Sequence, residues 1–313
     1  MSTRHPVSSR VSGWGTALPD KVVTNADLEA TLDTSDAWIV ERTGIRERHI
    51  GGTTAELAVE AGRAAMDRAG VSPTDIDLVL LCTTTADEAV PSTASTVQDR
   101  LGIPGGAMDL NAACSGFVYG LVVADGLLRG GMERILLIGA ETLSTITDWS
   151  DRATAVLFGD GAGAVVLDQG DGPGQLLGYD LGSDGSLRHI LRADAGGFIE
   201  MDGQEVFRRA VRIIVETAGR ALERAGVGVD DLALFVPHQA NARIIASACA
   251  KLGIGEARTV VNLDRTGNTS SATIPMALAE AADAGRVQPG DLVLLAGFGA
   301  GMSWAAAVLE WAV

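Results

Sequence analysis

The chain has 313 residues, of which 47% are hydrophobic and 20% charged, with a formal net charge of −16. This balance excludes a disordered or fibrous chain and allows a large core, in one big domain or two fused halves. The acidity argues against nucleic acid or an anionic membrane as partner, and with lysine only at Lys21 and Lys251, arginine carries nearly all the positive charge.

The N-terminal MSTRHPVSSR is polar and lacks the apolar stretch of a secretory signal, and no apolar run is long enough to span a membrane. The expectation is a soluble cytoplasmic protein. Cys82, Cys114 and Cys249 are far apart and odd in number, which fits a reducing compartment and no disulfide framework. Four histidines (His5, His49, His189 and His238) without close His/Cys spacing predict no metal site, and no cofactor is expected.

The segment EAGRAAMDRAGV (60–71) predicts an Ala-rich amphipathic helix closed by a glycine cap. A short acidic turn follows, then the buried strand DIDLVLL (75–81), which runs into Cys82. Next, AMDLN (107–111) reads as a strand that turns at Cys114 into an apolar helix ending near Gly130-Gly131. GGMERILLIGAE (130–141) and the glycine-rich FGDGAGAVVLD (158–168) read as two further buried strands.

The second part repeats this grammar. ETAGRALERAGV (216–227) matches the first helix, and DLALFVP (231–237) its strand. GRVQPGDLVLLAG (285–297) and FGAGMSWAAAVLE (298–310) match the last two strands. Colinear copies of a β-α-β-type unit predict an α/β fold of two pseudo-symmetric halves, 1–170 and 171–313, with sheets buried between helix layers. Their junction is the turn-rich QGDGPGQ (169–175).

Cys114 falls at a strand-to-helix turn among Ala112, Ala113, Ser115 and Gly116. Small neighbours leave room for a substrate, and a helix N-terminus favours a thiolate, so a nucleophile is expected rather than a structural cysteine. Cys82 and Cys249 have no polar constellation beside them and read as core. His238 opens the polar HQAN directly after a buried strand, where α/β architectures collect ligands. Asn268, in DRTGNTSSATIP, reads by itself as a helix cap, but the repeat sets its turn opposite that of Cys114. FGDGAGA lacks the Lys-Ser/Thr of a phosphate loop and is assigned to close strand packing, whereas FGAGMSW is placed to offer a backbone N–H to an oxyanion. Arg208, Arg209, Arg212, Arg243 and Lys251 form a cationic cluster, read either as solvated helix faces or as a docking patch for an acidic protein.

Taken together, TSDAWIVERTGIRERHI (34–50), NAACSGF (111–117), MDGQEVF (201–207), PHQANARII (237–245) and TGNTSSATIP (266–275) resemble the β-ketoacyl-acyl-carrier-protein synthase III family of the thiolase superfamily. The resemblance covers essentially the whole chain. It implies a five-layer αβαβα homodimer in which Cys114 is the nucleophile and His238 and Asn268 complete the triad. It further implies an oxyanion hole from the backbone N–H groups of Cys114 and Ala300. Coenzyme A contacts are implied at Trp38, Arg42, Arg152, Gly203 and Asn241, and a carrier-protein segment from Gln239 through Ala240, Asn241 and Ala242 to Arg243, with Arg208, Arg209 and Lys251 beside it. The primer pocket would involve Val90, where some relatives place a phenylalanine that closes the pocket across the dimer, and Phe207. The implied reaction is decarboxylative condensation of an acyl-CoA primer with malonyl-acyl-carrier-protein, starting fatty acid synthesis. Two departures stand out: the segment between Gly185 and Met201 is short for the family, and the small Val90 would admit a longer or branched primer. A starter-unit synthase of polyketide metabolism would use the same triad. A non-catalytic acyl-CoA-binding subunit would not need it.

Overall fold

The repeated helix–turn–strand grammar is realised twice, with the same caps. In a computed structural model that describes residues 8–170 and 174–313, the strands are β1 (Ser8–Ala17), β2 (Val22–Thr24), β3 (Glu47–His49), β4 (Leu78–Cys82), β5 (Gly106–Leu110), β6 (Arg134–Thr142), β7 (Asp160–Gly170), β8 (Leu176–Ser183), β9 (Leu191–Ala193), β10 (Ile199–Met201), β11 (Leu232–Pro237), β12 (Leu292–Gly299) and β13 (Ser303–Glu310). The helices are α1 (Asn25–Glu29), α2 (Asp36–Thr43), α3 (Thr54–Ala69), α4 (Thr93–Leu101), α5 (Gly116–Arg129), α6 (Arg152–Ala155), α7 (Gly203–Ala225), α8 (Ala242–Leu252), α9 (Leu263–Thr266) and α10 (Thr273–Asp283). Residues 1–7 of the polar N-terminus, and residues 171–173 of the predicted junction, lie outside the described residues.

Helix α3 starts at a Thr53/Glu56 capping box and stops at Gly70, at φ 67°. Its counterpart α7 starts on the Asp202 carboxylate and stops at Gly226, at φ 72°. In both copies an acidic side chain then closes the turn into the strand: Asp75 accepts from the Ser72 N–H at 2.8 Å, and Asp231 from the Gly228 N–H at 2.7 Å.

The first sheet has the order β1-β7-β6-β4-β5 and the second β8-β13-β12-β11. In each, a parallel pair (β4 with β6, β11 with β12) is continued by two antiparallel strands. The place of β5 in the second sheet is taken by a single parallel bridge between Phe235 and Thr259.

Alternation along the strands gives five layers. Val79, Leu81, Leu136 and Ile138 face α3 and α4 on one outer side. Leu78, Leu80, Ile135 and Leu137 face inward with Leu234, Val236, Val293 and Leu295, enclosing α5 and α10. Phe235, Leu294, Ala306 and Val308 meet α7 and α8 on the other outer side. The αβαβα arrangement is therefore the one expected.

The glycine-rich segment does serve close packing. A Cβ at Gly163 would lie 2.6 Å from the Met276 backbone N, so β7 and α10 touch backbone to backbone there. The two Phe-Gly doublets, however, are not equivalent positions. Phe158-Gly159 leads into β7, the later strand of its pair, whereas Phe298-Gly299 closes β12, the earlier one. Between paired strands the first half inserts residues 143–159, and the second only a tight turn at 300–302.

Candidate active site

The central helices α5 and α10 are each entered by the same strained turn. Ala113 and Ser270 are the only non-glycine residues among those described with positive φ, at 49° and 48°. Each is held by an asparagine two residues earlier: Asn111 Oδ1 accepts from the Ala113 N–H at 3.2 Å, and Asn268 Oδ1 from the Ser270 N–H at 2.9 Å. Such backbone costs on the order of 1–3 kcal/mol and persists only where the surroundings impose it. The Asn268 turn is therefore the counterpart of the Cys114 turn, as the repeat predicted, with Asn268 matching Asn111 and Ser271 matching Cys114.

Because Asn268 Oδ1 is committed to the backbone, its amide NH2 remains as a donor. Its backbone is fixed as well, accepting from Gly159 N–H at 3.1 Å and donating to Leu157 O at 2.9 Å. His238 follows β11, is 2% exposed, and donates its backbone N–H to Ala296 O at 2.8 Å. Its Nδ1 lies 2.6 Å from Thr273 Oγ1, and its ring meets the Phe298 ring edge-on at 5.6 Å. Burial holds the imidazole down at about 3, so it is neutral.

Cys114 is half-buried, immediately before α5. Burial pushes its thiol up to about 12, over the opposing hydrogen bond from the Ser270 hydroxyl, and the Glu141 charge pushes the same way. The thiolate expected from the helix N-terminus is thus not the resting form: desolvation outweighs the nearby N–H groups. Glu141 is fully buried, and accepts from the hydroxyls of Thr84 and Thr85 at 2.8 Å and of Ser271 at 2.7 Å. Among the described residues, no backbone carbonyl accepts from the Cys114 or the Ala300 N–H. A Cβ on Gly299 would lie 2.5 Å from the Cys114 N, so glycine there lets the end of β12 lie against Cys114.

Cys114, His238, Asn268 and Ala300 all line one cavity of about 740 Å³. Leu191, Ile199 and Met201 supply one wall of it, so the segment between Gly185 and Met201 lines the cavity. Trp38, Arg42, Gly203 and Asn241 line both this cavity and an outer groove, which Arg152, Arg208, Arg243 and Lys251 make cationic. The guanidinium carbons of Arg42 and Arg152 lie 5.6 and 4.9 Å from the Trp38 ring. The positions expected to contact coenzyme A therefore do converge.

Other expectations are corrected. Gln239 is fully buried, donating to Pro237 O and Val260 O and accepting from Asn262 N–H, so no carrier protein can reach it. Of its segment, Ala240 lines the cavity, Asn241 caps α8, Ala242 packs on Gly44, and only Arg243 is exposed. Arg208 and Arg209 are both tied to Glu205 and Arg212 to Glu216, and of the three only Arg208 lines the groove. Phe207 lines both cavity and groove, with Arg243 over its ring at 5.4 Å, which places it in the neck between them. Val90 is 86% exposed and lines neither. Cys82 and Cys249 are buried, as expected.

Sequence reasoning passed over Ser270, Glu141 and Thr273. The hydroxyl run from Thr269 to Thr273 held the signal for two of them, but nothing in it tells a cap from a partner of the site.

Two family profiles match the chain: "3-Oxoacyl-[acyl-carrier-protein (ACP)] synthase III" over residues 108–185, and its C-terminal counterpart over 222–311. The β-ketoacyl-[acyl-carrier-protein] synthase III of Agrobacterium fabrum is 49% identical, over 97% of this chain and 100% of that protein. The crystal structure of 3-oxoacyl-[acyl-carrier-protein] synthase III from Aquifex aeolicus is 44% identical and superposes with a TM-score of 0.95, covering 97% of this chain and 100% of that one. The priming β-ketosynthase of the R1128 polyketide pathway is 38% identical with a TM-score of 0.92, covering 100% and 99%. With near-complete coverage, identity close to one half, and the Cys114, His238 and Asn268 turns inside the matched segments, the chain belongs to the β-ketoacyl-acyl-carrier-protein synthase III family.

Proposed function

We propose that this enzyme condenses an acyl-CoA primer with malonyl-acyl-carrier-protein, releasing CO2 and initiating fatty acid synthesis. The observation that carries this reading is the convergence of Cys114, His238 and Asn268 on one cavity that continues into a cationic groove.

Cys114 Sγ attacks the primer thioester, and the N–H groups of Cys114 and Ala300, which no backbone carbonyl among the described residues takes, support an oxyanion hole for the tetrahedral intermediate. Coenzyme A leaves and the malonyl thioester enters by the same neck. Loss of CO2 generates the enolate without a base, and the Asn268 amide with the neutral His238 ring donates to its oxygen. The enolate carbon then attacks acyl-Cys114. The chemistry requires no metal or cofactor beyond the thioester substrates. Arg152 and Trp38 suit a nucleotide, and the groove cations Arg208, Arg243 and Lys251 suit an acidic carrier protein.

Residues 1–170 and 171–313 are read as two fused copies of one unit, the first supplying the nucleophile and the second His238 and Asn268. A second copy of the chain is assigned to the edge of β5, which among the described residues pairs only with β4 and exposes Met108; Val90 is exposed as well. This reading lets Val90 close the partner's primer pocket. The similarity to a polyketide priming enzyme keeps a longer or branched primer as the second reading, which the small Val90 favours.

Intact-protein mass spectrometry after mixing with a panel of acyl-CoAs tests both. A covalent acyl adduct is expected on the native chain and absent in Cys114→Ala. An adduct that survives the substitution overturns the assignment, and strict preference for acetyl-CoA removes the second reading.

A further inference from the structure

His238 has two tasks in the proposed reaction, and they need opposite tautomers. During acyl transfer, the Cys114 thiol is protonated and needs an acceptor, so Nε2 must be bare. During decarboxylation, the enolate oxygen needs a donor, so Nε2 must carry hydrogen. A residue that satisfies Nδ1 in only one form would block one of the two steps.

The partner of Nδ1 is a hydroxyl, which can serve both. Thr273 Oγ1 lies 2.6 Å from His238 Nδ1 and 2.9 Å from the Ser270 carbonyl oxygen. A carbonyl only accepts, and a hydroxyl has one proton. When Thr273 donates to Ser270 O, its lone pair faces Nδ1, which must then be N–H, leaving Nε2 bare. When the hydroxyl turns to Nδ1, that nitrogen must be bare and Nε2 carries the hydrogen. Ser270 O exists in either case because it belongs to the strained turn into α10. No other hydrogen-bond partner contacts the ring among the described residues, whose other close neighbour is the edge of Phe298. No carboxylate fixes one tautomer.

We propose that Thr273 is the positioning residue that lets His238 accept a proton in the first half-reaction and donate a hydrogen bond in the second. This rests on the reaction proposed above. In the first step the Cys114 S–H bond breaks, its proton passes to Nε2, and the Sγ–acyl bond forms. The coenzyme A C–S bond breaks, and the departing sulfur takes that proton, so the ring ends as it began. Departure of coenzyme A admits water, through which the ring exchanges Nδ1–H for Nε2–H with no net change of charge, while Thr273 turns to donate. After condensation, Cys114 leaves as thiolate and takes one proton from water, the proton that decarboxylative condensation consumes overall. The ring, neutral throughout this half-reaction, returns from Nε2–H to Nδ1–H by exchange with water.

Thr273→Val keeps the shape and removes the hydroxyl. A buried Nδ1–H would then face a methyl group, and the ring shifts to Nε2–H. Acyl-enzyme formation from acetyl-CoA is expected to slow about tenfold or more, while CO2 release from malonyl-carrier-protein by the preformed acyl-enzyme stays within about threefold. Thr273→Ser should recover most of the acylation rate. Proton-detected 15N spectra of the free enzyme should show Nδ1–H for His238 in the native chain and Nε2–H in Thr273→Val. Equal slowing of both half-reactions, unchanged acylation in Thr273→Val, or an Nε2–H ring in the native free enzyme each overturns the proposal. A native enzyme that performs neither half-reaction removes the functional reading instead, and the spectra still decide what Thr273 does.

Discussion

At the scale of single residues, Cys114 and His238 both rest neutral. Burial pushes the thiol up to about 12 and holds the imidazole near 3, so no ion pair is preformed. Proton transfer must accompany acyl transfer, when a thioester already fills the cavity. Reaction of Cys114 with iodoacetamide should therefore keep accelerating as pH rises past 9, where an ordinary cysteine, near 8.5, has levelled off. Peptide mass mapping distinguishes Cys114 from the buried Cys82 and Cys249. A plateau near pH 7 would show a thiolate and contradict this account. Cys114, His238 and Asn268 were legible because each is a polar or reactive residue set in small or apolar sequence. Thr273 was not, since a threonine opening a helix is ordinary until a histidine from β11 is folded against it. Gln239 was misread for the same reason: its neighbours His238 and Asn241 line the cavity, while its own amide turns inward to Val260 O.

At the scale of elements, what matters is how closely the central helices approach the strands. Helix α10 carries Thr273 and follows the Asn268 turn, and it lies against β7 at Gly163 without space for a side chain. Gly163→Ala should displace Pro275 and Met276 and cost about 1–3 kcal/mol. Thermal unfolding should show this as a fall of roughly 2–8 °C, with condensation lost faster than stability because the same helix carries the site. An unchanged melting temperature would mean that the helix can shift freely and that the turn is not held as described. The sequence located these elements well, since caps such as Gly70 and Gly226 and the alternating strands are local signals. It could not say which glycine pair corresponds to which, because the excursion between β6 and β7 has no counterpart between β12 and β13.

For the whole molecule, the two perturbed groups of the site define a pH range of maximum stability. His238 has a folded value of about 3 against an ordinary 6.5, so between these the unfolded chain binds the extra proton. Stability is then complete above about 6.5 and falls as pH drops, by roughly 3 kcal/mol on reaching pH 4. Cys114, raised from 9.0 to about 12, acts with the opposite sign, and the Cys82 and Cys249 thiols, which burial also pushes up, act with it: the unfolded chain loses these protons first, and stability falls as pH rises above about 9. Buried Arg48, lowered to about 10, opposes this only from about pH 10 upward. Urea midpoints across pH 4–10 check both limbs; His238→Asn should flatten the acid limb, and Cys114→Ser should make the limb between pH 9 and 10 shallower, the remaining slope belonging to Cys82 and Cys249. Wild-type slopes retained in these variants would assign the titration to other groups.

The sequence by itself determined the repeated α/β unit, the three polar residues placed at element ends, and the family. These are written in local patterns of caps, alternation and small residues, which need no knowledge of what packs where. Only the tertiary structure decided the rest: that Asn268 is the mate of Asn111, that burial keeps Cys114 a thiol, that Gln239 faces inward, and that Thr273 meets His238. Each depends on desolvation or on contact between segments far apart in the chain. Those quantities do not exist until the two halves have closed on each other.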